Sequence, residues 1–226
     1  VLLLELGESV NTYRIRVWVD EFGGEELVRD RMRAAIRYAI VRRKVPVART
    51  TEDNRKRAFA TPPADQTADR LGAASLFAML GEEERRELAS STRTLLYGTG
   101  ERIVAQGDAG ASMFVVVSGA AAVRIDGGAA DVARLEPGGF FGEMSLLTGA
   151  ARAASVVALQ DTSVIEITAD AFRQFVLAHP AVVEQVHEAV QRRRSELAAA
   201  GTALAPVAAK ESQQMLARIR RFLGLS

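Results

Sequence analysis

Apolar residues follow two different periods along this chain, and the changes between them divide it. From Tyr13 to Val19, Tyr13, Ile15, Val17 and Val19 alternate with Arg14, Arg16 and Trp18. Period two on β-forming residues predicts a half-buried strand. A short apolar run, Val1–Glu5, precedes it, and Gly23 and Gly24 end it. Leu27, Val28, Met32, Ala35, Ile36, Ala39 and Ile40 then recur at helical spacing with arginines between them. That pattern predicts an amphipathic helix of about four turns, closed before Pro46. A strand-and-helix unit this small buries little surface and is marginal by itself. Residues 1–48 therefore read as the end of a larger α+β domain that begins before Val1.

Residues 49–69, with TTEDNRKR and the adjacent Pro62 and Pro63, read as an extended linker. Residues 70–94 return to helical spacing through Leu71, Leu76, Phe77, Met79, Leu80 and Leu88. From Leu95 to Ile167 the pattern becomes short β-rich segments between glycines: Met113–Val117, Ala121–Ile125, Asp131–Leu135, Ser155–Ala158 and Ser163–Ile167. Many short strands with Gly-rich turns predict an antiparallel β-roll or jelly roll. Thr168 is placed to cap a helix over Ala169–Ala178, and a second helix follows from Ala181 to Leu197. Residues 198–226 read as a small-residue linker and a final amphipathic helix from Lys210 to Leu223. The fold class is thus α+β: a roll with flanking helices over 70–197, preceded by a small α+β fragment.

Composition narrows the chemistry. The net charge is +1 over 226 residues, with 48% hydrophobic residues. That balance gives no basic footprint for nucleic acid. The absence of cysteine rules out disulfides and thiolate metal sites, and two histidines, His179 and His187, are too few for an ordinary histidine metal site. No apolar run approaches the ~18 residues of a membrane span, and no signal peptide is visible. No nucleophile–base–orienter set stands out, so the chain is not expected to be an enzyme.

The chemistry concentrates between Phe141 and Ala158. Gly142 lets backbone approach a ligand closely, and Glu143 beside it is an anionic acceptor. The first amides of a short helix over Met144 and Ser145 add donors for an anion. Arg152, among small alanines, carries a guanidinium fork suited to two phosphate oxygens. A carboxylate for hydroxyls and an arginine for a phosphate suit a ribose cyclic phosphate.

Phe141-Gly142-Glu143, the short apolar helix, Gly149 and Arg152-Ala153-Ala154 before a strand resemble the phosphate-binding cassette of cyclic-nucleotide-binding domains. The resemblance extends to Gly100-Glu101, Gln106-Gly107-Asp108 and Val117-Ser118-Gly119. It implies that Glu143 accepts the ribose 2′-hydroxyl and that Arg152 binds the cyclic phosphate. Gly142, Met144, Ser145 and Ala153 complete the cradle, partly through backbone amides. Members selective for cGMP often carry threonine where this chain has Ala153. The expected ligand is therefore cAMP, with cGMP the second candidate, and no cofactor is expected. The apolar stripe Val183, Val186, Val190 and Leu197 is expected to close over the pocket as a lid.

Residues 2–42 are similar to the last part of the cytoplasmic domain of small-conductance mechanosensitive channels. Together the two resemblances imply the regulatory region of a ligand-gated channel at the cytoplasmic face of the inner membrane. Such a channel would be a homo-oligomer with its transmembrane part before Val1. The alternative is a soluble cAMP-responsive regulator, either a transcription factor or a kinase regulatory subunit.

Overall fold

The computed structural model describes residues 2–6, 11–15, 25–43, 45, 64–126, 131–199, 217, 220 and 221. The chain divides into two compact units, Val1–Ala60 and Thr61–Ser226.

In the first unit, β1 (Leu2–Leu6) pairs antiparallel with β2 (Asn11–Arg14), and the register shifts between Leu3 and Glu5. The alternating segment thus enters a strand two residues earlier than its apolar pattern indicates. Ile15 already lies outside the strand, and residues 16–19 are outside the described residues. Helix α1 (Glu25–Arg42) covers the helical pattern. Its stripe of Val28, Met32, Ile36 and Ile40 is half-buried, while Leu27 is 57% exposed.

In the second unit, helix α2 (Ala64–Gly72) begins inside the segment read as linker, and 49–63 lie outside the described residues. The helical spacing over 70–94 resolves into the end of α2, a turn-rich stretch and α3 (Glu82–Ser90). At the start of α3 the Glu84 carboxylate accepts from the Gly81 N–H at 2.7 Å, one half of a capping box. Two strands then lead into the roll, β3 (Arg93–Tyr97) and β4 (Arg102–Val104). They are followed by β5 (Ser112–Ser118), β6 (Ala121–Arg124), β7 (Asp131–Leu135) and β8 (Phe140–Phe141). Helix α4 (Glu143–Thr148), β9 (Ser155–Ala158) and β10 (Thr162–Thr168) complete the roll. Helices α5 (Ala169–Ala178) and α6 (Val182–Ala199) come after it.

Two four-stranded antiparallel sheets, in the orders β3-β10-β5-β8 and β4-β9-β6-β7, form the roll. The fold is α+β, an antiparallel roll with flanking helices. Strands β5 and β10 explain why it reads so clearly. Their alternate residues enter two different cores, because one face of their sheet meets the other sheet and the opposite face meets helices. Phe114, Val116 and Val164 join Tyr97, Leu135, Phe141 and Val156 between the sheets. Met113, Val115, Ile165 and Ile167 join Leu71, Phe77, Leu88, Phe172 and Val176 under the helices. Burial on both faces produces a continuous apolar run in place of alternation.

Thr168 caps α5 by accepting from the Ala171 N–H at 3.3 Å; such a cap stabilises by about 1 kcal/mol. Val183, Val186 and Val190 of α6 are each 3% exposed or less and belong to the helical core, with Leu146 and Leu147 of α4. The stripe expected as a lid is already committed to core packing here, and the Leu197 side chain is outside the described residues. Of the final helix, Ala217, Arg220 and Arg221 are described and helical, and Arg220 pairs with Glu184 of α6 at 2.6 Å.

Candidate functional site

Strand β8 delivers the chain into the site. Phe141 stacks on Phe114 with ring centroids 5.1 Å apart, which fixes the end of the strand. Gly142 then adopts φ 80°, a left-handed conformation that reverses the chain and starts α4 in a single residue. A Cβ there would lie 2.3 Å from Arg152 Nη1, so the guanidinium approaches the backbone where a side chain would stand. Helix α4 is held by Leu146 and Leu147, both buried. Ser145 is buried at 2% exposure, Met144 packs against the helical core, and Glu143 is half-buried at the first position of the helix.

Arg152 is the centre of the site. Its residue exposure is 6%, yet no carboxylate among the described residues lies within ion-pairing distance. Its backbone is clamped by the loop after β4: Gly107 N–H donates to Arg152 O, and Arg152 N–H donates to Asp108 O, both at 2.9 Å. Its guanidinium donates from Nη1 to Ser112 O at 2.6 Å and to Gly142 O at 3.3 Å, and from Nη2 to Ser112 Oγ at 3.1 Å. The Phe114 ring lies 5.6 Å from Cζ. Burial lowers the proton affinity of the group from the ordinary arginine value, while Glu166, Glu143 and Asp108 act in the opposite direction. Arginine keeps its proton regardless.

A guanidinium has five N–H donors in a rigid plane. Ser112 occupies the terminal edge with its carbonyl and hydroxyl, and Gly142 takes the remaining Nη1 hydrogen. The lateral edge, Nε–H with the second Nη2–H, meets no acceptor among the described residues. A charged fork withdrawn from water with one edge unengaged has the chemistry to receive an oxyanion, since burying an ion costs several kcal/mol that a partner offsets.

Residues 94–179 match the family described as the cyclic nucleotide-binding domain. The chain contains a cyclic nucleotide-binding domain. Over 108 residues it is 35% identical to a cAMP-dependent protein kinase regulatory subunit of Colletotrichum orbiculare, covering 48% of this chain and 28% of that protein. It is 33% identical over 124 residues to the Cyclic AMP receptor protein of Thermus thermophilus, covering 54% of this chain and 57% of that one. The solved structure of Thermus thermophilus Catabolite Activator Protein superposes with a TM-score of 0.51 at 26% identity, over 67% of this chain and 85% of that chain. The matched stretch is less than two thirds of either curated relative, so their whole activities do not transfer with the domain.

Within the domain, the structure brings Gly142, Glu143 and Arg152 together around one turn. Ala153, exposed, follows Arg152 directly, and Ser145 lies one helical step inside. The sequence reading missed Ser112 and Gly110. A Cβ on Gly110 would lie 2.4 Å from Arg152 Nε, so this glycine makes room for the buried arginine. The only trace of both in the sequence is the small-residue run Ala109-Gly110-Ala111-Ser112 that leads into β5. Ser155 accepts from Gln106 N–H at 2.9 Å and donates to Asp126 at 3.0 Å. Among the described residues no cluster could hold a metal ion, and no helix is long and apolar enough to cross a membrane.

Proposed function

We propose that this chain is a cyclic-nucleotide sensor whose ligand is cAMP. The observation that carries the reading is Arg152: a buried guanidinium with no carboxylate partner and an unengaged lateral edge, beside Glu143, inside a cyclic nucleotide-binding domain. In this reading the lateral edge holds two oxygens of the cyclic phosphate, and Glu143 accepts the ribose 2′-hydroxyl. Amides near Ser145 and Ala153 complete the contacts, and Gly142 and Met144 line the turn. The names of the kinase subunit and the receptor protein support cAMP as the ligand. So does Ala153, which offers no hydroxyl to a guanine amino group.

For the output, the similarities support a regulator of the kinase-subunit or transcription-factor kind over the channel reading. The channel reading, with its homo-oligomer, membrane part and inner-membrane location, rests on the β1–β2–α1 unit and its resemblance to a mechanosensitive-channel domain. The reading frame upstream of Val1 separates the two.

Thermal unfolding with and without cAMP tests the sensor reading. A ligand at 100 times its dissociation constant stabilises by about 2.7 kcal/mol, so the melting temperature is expected to rise. An unchanged melt at millimolar cAMP would remove the claim.

A further inference from the structure

We infer that Ser112 is a positioning residue of the ligand site: it selects which edge of the Arg152 guanidinium faces the ligand. The inference rests on the reading of Arg152 as the phosphate-binding group. Ser112 is the first residue of β5 and pairs with Thr168 at the end of β10, so its backbone is fixed by the sheet. The adjacent Ala111 carbonyl accepts from the Ala169 N–H at 2.7 Å, which ties the same corner to the start of α5. From this rigid corner Ser112 engages two guanidinium nitrogens at once, Nη1 through its carbonyl at 2.6 Å and Nη2 through its hydroxyl at 3.1 Å.

Two contacts on one edge of a planar group fix its rotation about the Nε–Cζ axis and the direction of that edge. The carbonyls of Ser112 and Gly142 both engage Nη1 and leave the Nη2 side of the guanidinium without an anchor. The hydroxyl supplies that anchor and turns the Nε/Nη2 edge outward as a matched pair of donors. Bidentate recognition of an anion depends on both donors of one edge pointing the same way. In a site where no carboxylate among the described residues ion-pairs with the arginine, a serine hydroxyl thus supplies orientation without neutralising the charge meant for the ligand.

The test compares the whole chain with Ser112→Ala and Ser112→Thr, using cAMP as the probe. Calorimetry reads affinity, and ¹⁵N spectra read the Arg152 side-chain N–H signals, assigned by their absence in Arg152→Lys. Ser112→Ala is expected to weaken cAMP binding about tenfold, the loss of one charge-assisted hydrogen bond, and to average the separate guanidinium signals through free rotation. Ser112→Thr keeps the hydroxyl and is expected to restore both readouts.

The inference is overturned if Ser112→Ala binds like the parent chain, or if it weakens binding with unchanged Arg152 signals. It is also overturned if Ser112→Thr is as impaired as the alanine variant. Should the parent chain itself take up no cAMP, the functional reading falls and the spectra alone decide. Averaged signals in Ser112→Ala then uphold the positioning role, and unchanged ones end it.

Discussion

Arg86 and Arg152 occupy two regions of the same unit and reverse each other's circumstances. Arg86, on α3, contacts Asp65 at 2.9 Å, Glu82 at 2.7 Å and Glu83 at 2.6 Å, with its side chain 38% exposed and the carboxylates more so. The hydrogen bond to Asp65, then that to Glu83, raises its proton affinity. Arg152 is nearly sealed from water, has backbone and hydroxyl partners only, and has its proton affinity lowered by burial. In the proposed reading the better-paired arginine is the one that matters less to the ligand. Exposed ion pairs are screened by water and lose side-chain entropy, whereas a buried charge carries a desolvation cost that a partner must offset. Counting contacts would rank the two sites in the wrong order.

The largest expected effect breaks the buried side of this contrast. Arg152→Ala leaves a desolvated phosphate without its partner, a loss of about 2–5 kcal/mol, or roughly 30- to 3000-fold in affinity. Calorimetry with cAMP checks it, and a change under about threefold would place the phosphate elsewhere.

Gly110→Ala probes the same arginine without touching it. The new Cβ would lie 2.4 Å from Nε and 2.6 Å from Cζ, against the far end of a flexible side chain. The fold is expected to yield at the guanidinium, so cAMP affinity drops about tenfold while the unliganded melt changes little. A variant that binds normally would show that the guanidinium has room to spare.

His187 sharpens the contrast, because it is a buried basic group that can discharge. It is 8% exposed, and burial, opposed by Glu188, lowers its pKa. The unfolded chain then takes up the proton more readily than the folded one. This contribution to stability is complete above the ordinary histidine value of about 6.5 and is lost as pH falls toward the folded value. Melting temperatures measured from pH 7 downward are expected to decline, less steeply in His187→Gln; equal slopes would exonerate His187.

The smallest effect belongs to the best-paired arginine. Arg86→Ala is expected to leave cAMP affinity unchanged and the melt close to that of the parent chain.

Much of the roll was legible because its physics is local. The segments Asp131–Leu135, Ser155–Ala158 and Ala169–Ala178 coincide with β7, β9 and α5, since glycine punctuation and a threonine cap act within a few residues. Strands β4 and β8, of three and two residues, are too short to display a period. They exist because β9 and β5 pair with them across the chain. The site divides the same way. Gly142, Glu143 and Arg152 sit in one contiguous run, whereas Ser112 lies 40 positions from Arg152 in sequence. A serine in a run of small residues carries no sign that a distant arginine will turn toward it. The expected lid illustrates a related point: an apolar stripe shows only that a helix must cover something, and here Val183, Val186 and Val190 share the helical core with Leu146 and Leu147 of α4.

The unengaged edge of Arg152 also bears on how long the protein lasts. In the proposed reading, the ligand removes an electrostatic deficit that the empty domain carries, so occupancy and resistance to unfolding rise together. Proteases act on opened chains, and a shift of one or two kcal/mol changes steady-state abundance several-fold. A cell poor in cyclic nucleotide would then clear this protein faster than a cell rich in it. The amount of sensor would follow the signal it reads, without any change in its synthesis.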